Sequence, residues 1–96
     1  MTFSLHPEAE SEFFEAIDYY EECETDLGYA FSIEVYSAIQ NVLDYPHAWP
    51  VFEGEIRRCL VNRFPYGVLY SIESTHIFVI AIMNLNRLPG YWKDRH

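Results

Sequence analysis

Arg57, Arg58 and Arg63 lie within seven residues of one another, and Arg87 follows beyond two apolar runs. Each guanidinium offers five N–H donors in a planar fork, so such a group suits a phosphate or a carboxylate. Tyr66 and Trp92 supply rings that could stack on a base or on a partner's side chain. The competing role for these arginines is structural, because fifteen acids surround only six bases and a scarce arginine readily finds a carboxylate. Arg57 stands nearest to such acids, at Glu53 and Glu55. Strand alternation from Ile56 to Arg63 puts Ile56, Arg58, Leu60 and Asn62 on one face, with Arg57, Cys59, Val61 and Arg63 on the other. The three arginines therefore share one site only if a bulge intervenes.

Other chemistries find little support. His6, His47, His76 and His96 are scattered without the spacing of a metal site, and Cys23 and Cys59 form neither a metal pair nor a disulfide framework. No metal and no cofactor is expected. The acids from Glu8 to Glu24 read as a solvated helix face, and the paired tyrosines Tyr19 and Tyr20, with Tyr29 and Tyr36, read as packing residues.

The elements that must position these residues follow from periodicity. Thr2–Leu5 alternates and predicts a short strand at or near a sheet edge. Pro7 suits the first position of a helix whose opening acids complement the dipole. Ala9, Phe13, Ala16, Ile17 and Tyr20 form its apolar stripe, with Glu8, Glu12, Glu15, Asp18 and Glu22 away from it. Glu8 with Glu12, and Asp18 with Glu22, are repulsive pairs one turn apart, so this helix needs packing or a basic partner. Thr25 and Asp26 can cap a second helix, whose stripe runs through Phe31, Val35, Ala38, Ile39 and Val42 and ends before Pro46. The short link predicts an antiparallel helical hairpin.

His47–Gly54 has no repeat and reads as a connecting loop. Ile56–Arg63 reads as a strand, Phe64–Gly67 as a turn, and Val68–Ile72 as a second strand after it. Glu73–Thr75 reverses the chain into Ile77–Met83, apolar on both faces and so a central strand. The tail is irregular with one helical turn, and Trp92 with Pro89 is expected to pin it over the sheet. The expectation is one α+β domain over residues 1–96, in the order β-α-α-β-β-β, with three or four strands.

Half the residues are hydrophobic and 18% are aromatic, which argues against disorder. No run is long enough to span a membrane and no secretory pattern opens the chain, so a cytoplasmic protein without membrane contact is expected. The net charge of −9 is unevenly spread: residues 1–50 carry eleven acids and no Lys or Arg, whereas residues 51–96 carry four acids and six bases. The helices would repel nucleic acid or an anionic surface, and the sheet could meet an anion.

Ile56-Arg57-Arg58 followed by Arg63-Phe64-Pro65-Tyr66-Gly67-Val68-Leu69-Tyr70 resembles the RelE/ParE family of toxins from type II toxin–antitoxin modules. The likeness is to the ParE-like, plasmid-stabilisation branch, and extends to HPEAESEFFEAIDYYEE, LGYAFSIEVYSAIQNVLDYP and NRLPGYWKDR. It implies a helical hairpin packed on a small, mostly antiparallel sheet, and a cognate antitoxin that wraps and neutralises the chain.

For the ParE-like branch the resemblance implies non-enzymatic inhibition of DNA gyrase. For the RelE-like branch it implies an endoribonuclease acting on messenger RNA at the ribosome, here with Arg63 and Arg87. The ribonuclease members draw acid–base groups from the sheet and from the region after the last strand. In this chain the corresponding positions hold Gly67, Asn84 and Asn86, and asparagine transfers no proton at neutral pH. The resemblance therefore favours gyrase, with Arg57, Arg58, Arg63, Arg87, Tyr66 and Trp92 as target-binding candidates. A third reading is a non-toxic family member that keeps only its antitoxin contacts. Family toxins tend to be basic, so the acidity of this chain implies either a basic antitoxin segment or weakened toxicity. The aromatic helices and the apolar last strand could also support a homodimer.

Overall fold

A computed structural model describes residues 1–87 and 90–95. Leu88, Pro89 and His96 are outside the described residues, so the expected role of Pro89 in pinning the tail lies there too. The elements are β1 (Thr2–Leu5), α1 (Pro7–Cys23), α2 (Leu27–Asp44), β2 (Val51–Glu53), β3 (Ile56–Leu60), β4 (Tyr66–Glu73) and β5 (His76–Asn84), with a 3-10 turn at Lys93–Arg95. The α+β architecture expected from the sequence is present, with one strand more. Val51–Glu53, read above as loop, pairs antiparallel with β3 through a turn at Gly54, whose φ is +57°. The sheet thus has five strands in the order β1-β5-β4-β3-β2, antiparallel except for β1 beside β5.

Helix α1 starts at Pro7 as the proline predicts, with the His6 ring accepting the Glu8 amide at 3.1 Å. Helix α2 is capped differently from expectation. Asp26 occupies the cap position in a left-handed conformation but its side chain makes no cap bond. Glu21 of the preceding helix accepts the Asp26 and Gly28 amides instead, at 2.9 and 3.1 Å. That contact ties the two helices together at their connection. A Cβ on Gly28 would stand 2.5 Å from the Ile17 carbonyl oxygen.

The hairpin covers one face of the sheet. Ala9, Phe13 and Ala16 of α1 and Phe31, Val35, Ile39 and Val42 of α2 bury against Cys59, Val68, Tyr70, Ile77, Val79 and Ile82. The opposite face carries a second cluster in which Trp92, 1% exposed, lies over Ile56, Leu69, Ile80, Ala81 and Met83. Burying so large a ring is worth roughly 5 kcal/mol by area, so Trp92 fastens the tail as its size suggests.

β5 changes face midway. Tyr70 pairs with Val79 and Leu69 with Ala81, which leaves Ile80 as an extra residue, a β-bulge. Before it, Ile77 and Val79 face the helices; after it, Ile82 does. Ile80 and Ala81 are neighbours in sequence yet both belong to the Trp92 side. The bulge sends Asn84 to the helical side, opposite Tyr66, with Asn84 Nδ2 and the Tyr66 hydroxyl 3.5 Å apart.

Candidate functional site

Where α1 passes the far end of β4 and β5, the surface opens into a cleft of about 400 Å³. Glu12, Glu15 and Tyr19 line it from α1, Tyr66 from β4, Ile82 and Asn84 from β5, and Asn86, Arg87 and Tyr91 from the segment that follows. Three constraints place these groups. The turn spacing of α1 brings Glu12, Glu15 and Tyr19 to one flank, the bulge at Ile80 turns Asn84 inward, and Trp92 holds the tail so that Tyr91 forms the wall.

Glu12, of the cleft lining, is held in an ion pair with Arg95 of the tail. Arg95 Nη1 and Nη2 donate to Glu12 Oε1 and Oε2 at 2.9 and 3.1 Å, and Arg95 Nε lies 3.6 Å from Glu8. Both partners also serve the backbone of β5. Arg95 Nη1 donates to the Ile80 carbonyl at 3.1 Å, and Glu12 Oε1 accepts the Ile82 amide at 3.1 Å. β1 covers β5 only from His76 to Val79, so this pair satisfies the sheet edge where β1 has ended. The repulsion between Glu8 and Glu12 is relieved by a base from the chain's own tail. Burial works against the charge of Arg95, and the Glu12 and Glu8 carboxylates outweigh it, leaving the guanidinium more firmly protonated than usual.

Arg87 lies 3.8 Å from the centre of the Tyr91 ring and 3.8 Å from Glu12 Oε2, and is exposed. Tyr66 and Tyr91 are pushed up from the ordinary phenol value, Tyr66 by burial and Tyr91 by burial and the adjacent Glu12 charge. Both therefore stay protonated at neutral pH; the Tyr66 hydroxyl accepts from Asn84 Nδ2, and the buried Tyr91 hydroxyl has no hydrogen-bond partner among the described residues. With both Glu12 oxygens engaged, the cleft offers one cation, three phenols, two amides and the exposed Glu15 carboxylate. It can bind and orient a polar partner; it contains no histidine among its described residues.

Of the residues singled out in the sequence, Tyr66 and Arg87 meet in this cleft. The others are dispersed. Arg57 is on the helical face, where Nη1 donates to the Trp49 carbonyl at 2.6 Å and to that of His47 at 3.3 Å. Arg58 is on the opposite face, 4.5 Å from the Phe52 ring centre, with its stem packed over Gly67. Arg63 is exposed in the bend after β3, at φ +72° and 5.3 Å from the Phe64 ring. The strand ends at Leu60, short of Arg63. Trp92 is core to the second cluster rather than an exposed stacking ring.

Glu12, Tyr19, Tyr91 and Arg95 were not anticipated. Glu12 was placed outside the buried stripe, yet its side chain is only 13% exposed. Its position one turn after Ala9 and one turn before Ala16, at the margin of the stripe, is the signal that could have found it. Among the described residues, no group of three or more His, Cys, Asp or Glu converges as a metal site, and no helix is long and apolar enough to cross a membrane.

The chain is similar to a solved structure from the chromosomal ParDE TA system of P. aeruginosa, with a TM-score of 0.78 and 11% sequence identity over 90% of this chain and 97% of that one. At this identity the likeness is one of fold. No family model matches the sequence, and no curated protein matches it.

Proposed function

We propose that this chain is the toxin component of a type II toxin–antitoxin module, ParE-like, held inactive by a cognate antitoxin and acting on DNA gyrase. The observation that carries this reading is the fold likeness to a chain of a ParDE system across nine-tenths of the molecule, in agreement with the ordered residues from Ile56 to Tyr70. The composition of the cleft supports inhibition by binding. Cleavage of RNA without a metal needs a group to deprotonate the 2′-hydroxyl and another to protonate the leaving oxygen. Tyr66 and Tyr91 are held protonated, Glu12 is locked to Arg95, and Asn84 and Asn86 carry no titratable proton. Among the described residues, Glu15 is the one lining carboxylate left outside an ion pair, with no histidine beside it in the lining.

Arg87 and Arg63 are the exposed guanidinium groups available for a target. Arg57 and Arg58 act first on their own fold.

The test is induction of the chain alone in a bacterial culture, beside Arg63→Ala and Arg87→Ala at equal soluble levels. The native chain should arrest growth, with at least one variant relieving the arrest. Purified protein should then inhibit supercoiling by gyrase without cutting transcripts in a translation reaction. Transcript cleavage would replace gyrase by the ribosome, and harmless accumulation of folded chain would reject the toxin reading.

A further inference from the structure

The outer side of the helical hairpin, turned away from the sheet, carries a second apolar stripe. Tyr29, Ile33 and Tyr36 of α2 are 68%, 46% and 55% exposed and fall at i, i+4 and i+7, one row along the helix. Phe14 of α1, 55% exposed, joins them through Phe13, whose ring is 5.8 Å from Phe14 and 5.5 Å from Tyr36. A single exposed aromatic needs no explanation. α2, however, already buries Phe31, Val35, Ala38, Ile39 and Val42 against the sheet, so this row faces away from the chain's own core. Three large apolar groups in this register, with Phe14 of α1 beside them, match the spacing at which one helix packs along another.

Charge decides what covers it. Along α1, Phe14 stands in a row with Glu10, Asp18 and Glu21 at helical spacing, and residues 1–50 contain no Lys or Arg. Among the described residues, the bases that reach these helices are Arg87 and Arg95, and both meet Glu8 or Glu12 on the cleft side. The stripe is therefore apolar within an unneutralised acidic field. A second copy would set acid against acid, and nucleic acid or an anionic surface would be repelled.

We propose that this face docks a basic amphipathic helix of another protein, with apolar residues over Phe14, Tyr29, Ile33 and Tyr36 and Lys or Arg on its flanks. From Tyr29 to Tyr36 the row spans about 10 Å of helix axis, so two to three turns of a partner suffice. This surface is distinct from the cleft, and the inference holds whether or not the chain is a toxin.

The test uses the intact chain and a displayed library of helical peptides. Apolar residues are fixed at i, i+4 and i+7, and the flanking positions are randomised among Lys, Glu, Gln and Ser. Selected peptides should be net positive and bind at least tenfold tighter than versions with Glu for Lys. Binding should weaken severalfold between about 0.05 and 0.5 M salt. Amide shifts should map to Phe14, Tyr29, Ile33 and Tyr36, and the charge-neutral double variant Tyr29→Gln, Ile33→Gln should abolish binding while its thermal melt is unchanged. Enrichment of acidic or neutral peptides, failure to enrich any, or a footprint in the cleft would overturn the proposal. So would sedimentation of the chain as a dimer that the same double variant dissociates, since the occupant would then be a second copy.

Discussion

Glu12 and Arg95, 83 residues apart in sequence, form a two-pronged ion pair in which each partner also bonds the backbone of β5. Side-chain exposure is 13% for Glu12 and 8% for Arg95. Removal of Glu12 leaves the buried Arg95 with only the exposed Glu8 carboxylate, at 3.6 Å, among the described residues. Glu12→Gln should lower unfolding stability by about 3 kcal/mol. Replacing a buried pair by apolar residues is often neutral, but here Glu12→Leu with Arg95→Met should remain destabilised by about 2 kcal/mol, because the Ile82 amide and the Ile80 carbonyl lose their partners. Urea titration of the three proteins checks this, and a double variant as stable as the native chain would show that the edge needs no such cap.

Gly28→Ala should destabilise, although alanine is the better helix former by about 1 kcal/mol. The added methyl would meet the Ile17 carbonyl at 2.5 Å and Glu21 Cβ at 3.0 Å, forcing α1 and α2 apart where Glu21 caps α2. A net loss of about 1–3 kcal/mol is expected for such overpacking. Thermal unfolding at neutral pH would expose an error if the variant melted higher than the native chain.

Stability should fall as pH rises from about 9 towards 12. Burial pushes the Cys59 thiol up to about 11 and the Tyr70 phenol up to about 12, each from a lower ordinary value. The unfolded chain releases these protons first, so the native state holds more of them through the window between the two values. The contribution is complete below the unfolded values and is lost as pH climbs through the folded ones. Each group costs about 1.4 kcal/mol per pH unit in that interval. Denaturation curves from pH 8 to 11 should show a declining midpoint; a flat or rising limb would contradict the burial of both groups.

The two thiols should separate kinetically. Cys23 is exposed at the end of α1, whereas Cys59 is buried with its thiolate disfavoured, its Sγ 3.9 Å from the Ala38 carbonyl. At pH 8 one equivalent of an alkylating reagent should react quickly with the native chain and a second only on unfolding. Mass mapping of the first adduct to Cys59 would reverse the assignment.

Arg57 and Arg63 should part in the same way between stability and activity. Arg57→Ala removes the bonds that hold the His47 and Trp49 carbonyls and should cost about 1–3 kcal/mol. Arg63 sits at φ +72°, so Arg63→Gly should keep or raise stability, by up to about 1 kcal/mol. If Arg63 contributes to target binding, the glycine variant will be better folded and less toxic. Calorimetry beside the growth assay reads both.

The sequence made the helices and the main strands legible because their stripes have a clean period and Pro7, Gly28 and Pro46 mark the ends. β2 was hidden because three residues after a proline carry no periodicity. The cleft was half visible. Tyr66 and Arg87 stood out by residue type, but the burial of Glu12 depends on Arg95, which lies far along the chain and could not be paired with it in advance. The dispersal of the arginines followed from alternation for Arg57 and Arg58, and from the early end of β3 for Arg63. The face change in β5 had no signature at all. Every residue from Ile77 to Met83 is apolar, so no polar position marks where the pattern slips.

That slip bears on how this chain is to be matched with others position by position. A strand of the same length without the bulge would carry Met83, not Asn84, towards α1, while every other strand stayed in place. An ungapped alignment across β5 would then equate residues on opposite sides of the sheet, and a gap set at Ile80 would restore them. Loss of the single codon for Ile80 would remove the bulge and still leave Asn84 opposite Tyr66, so the cleft would keep its amide.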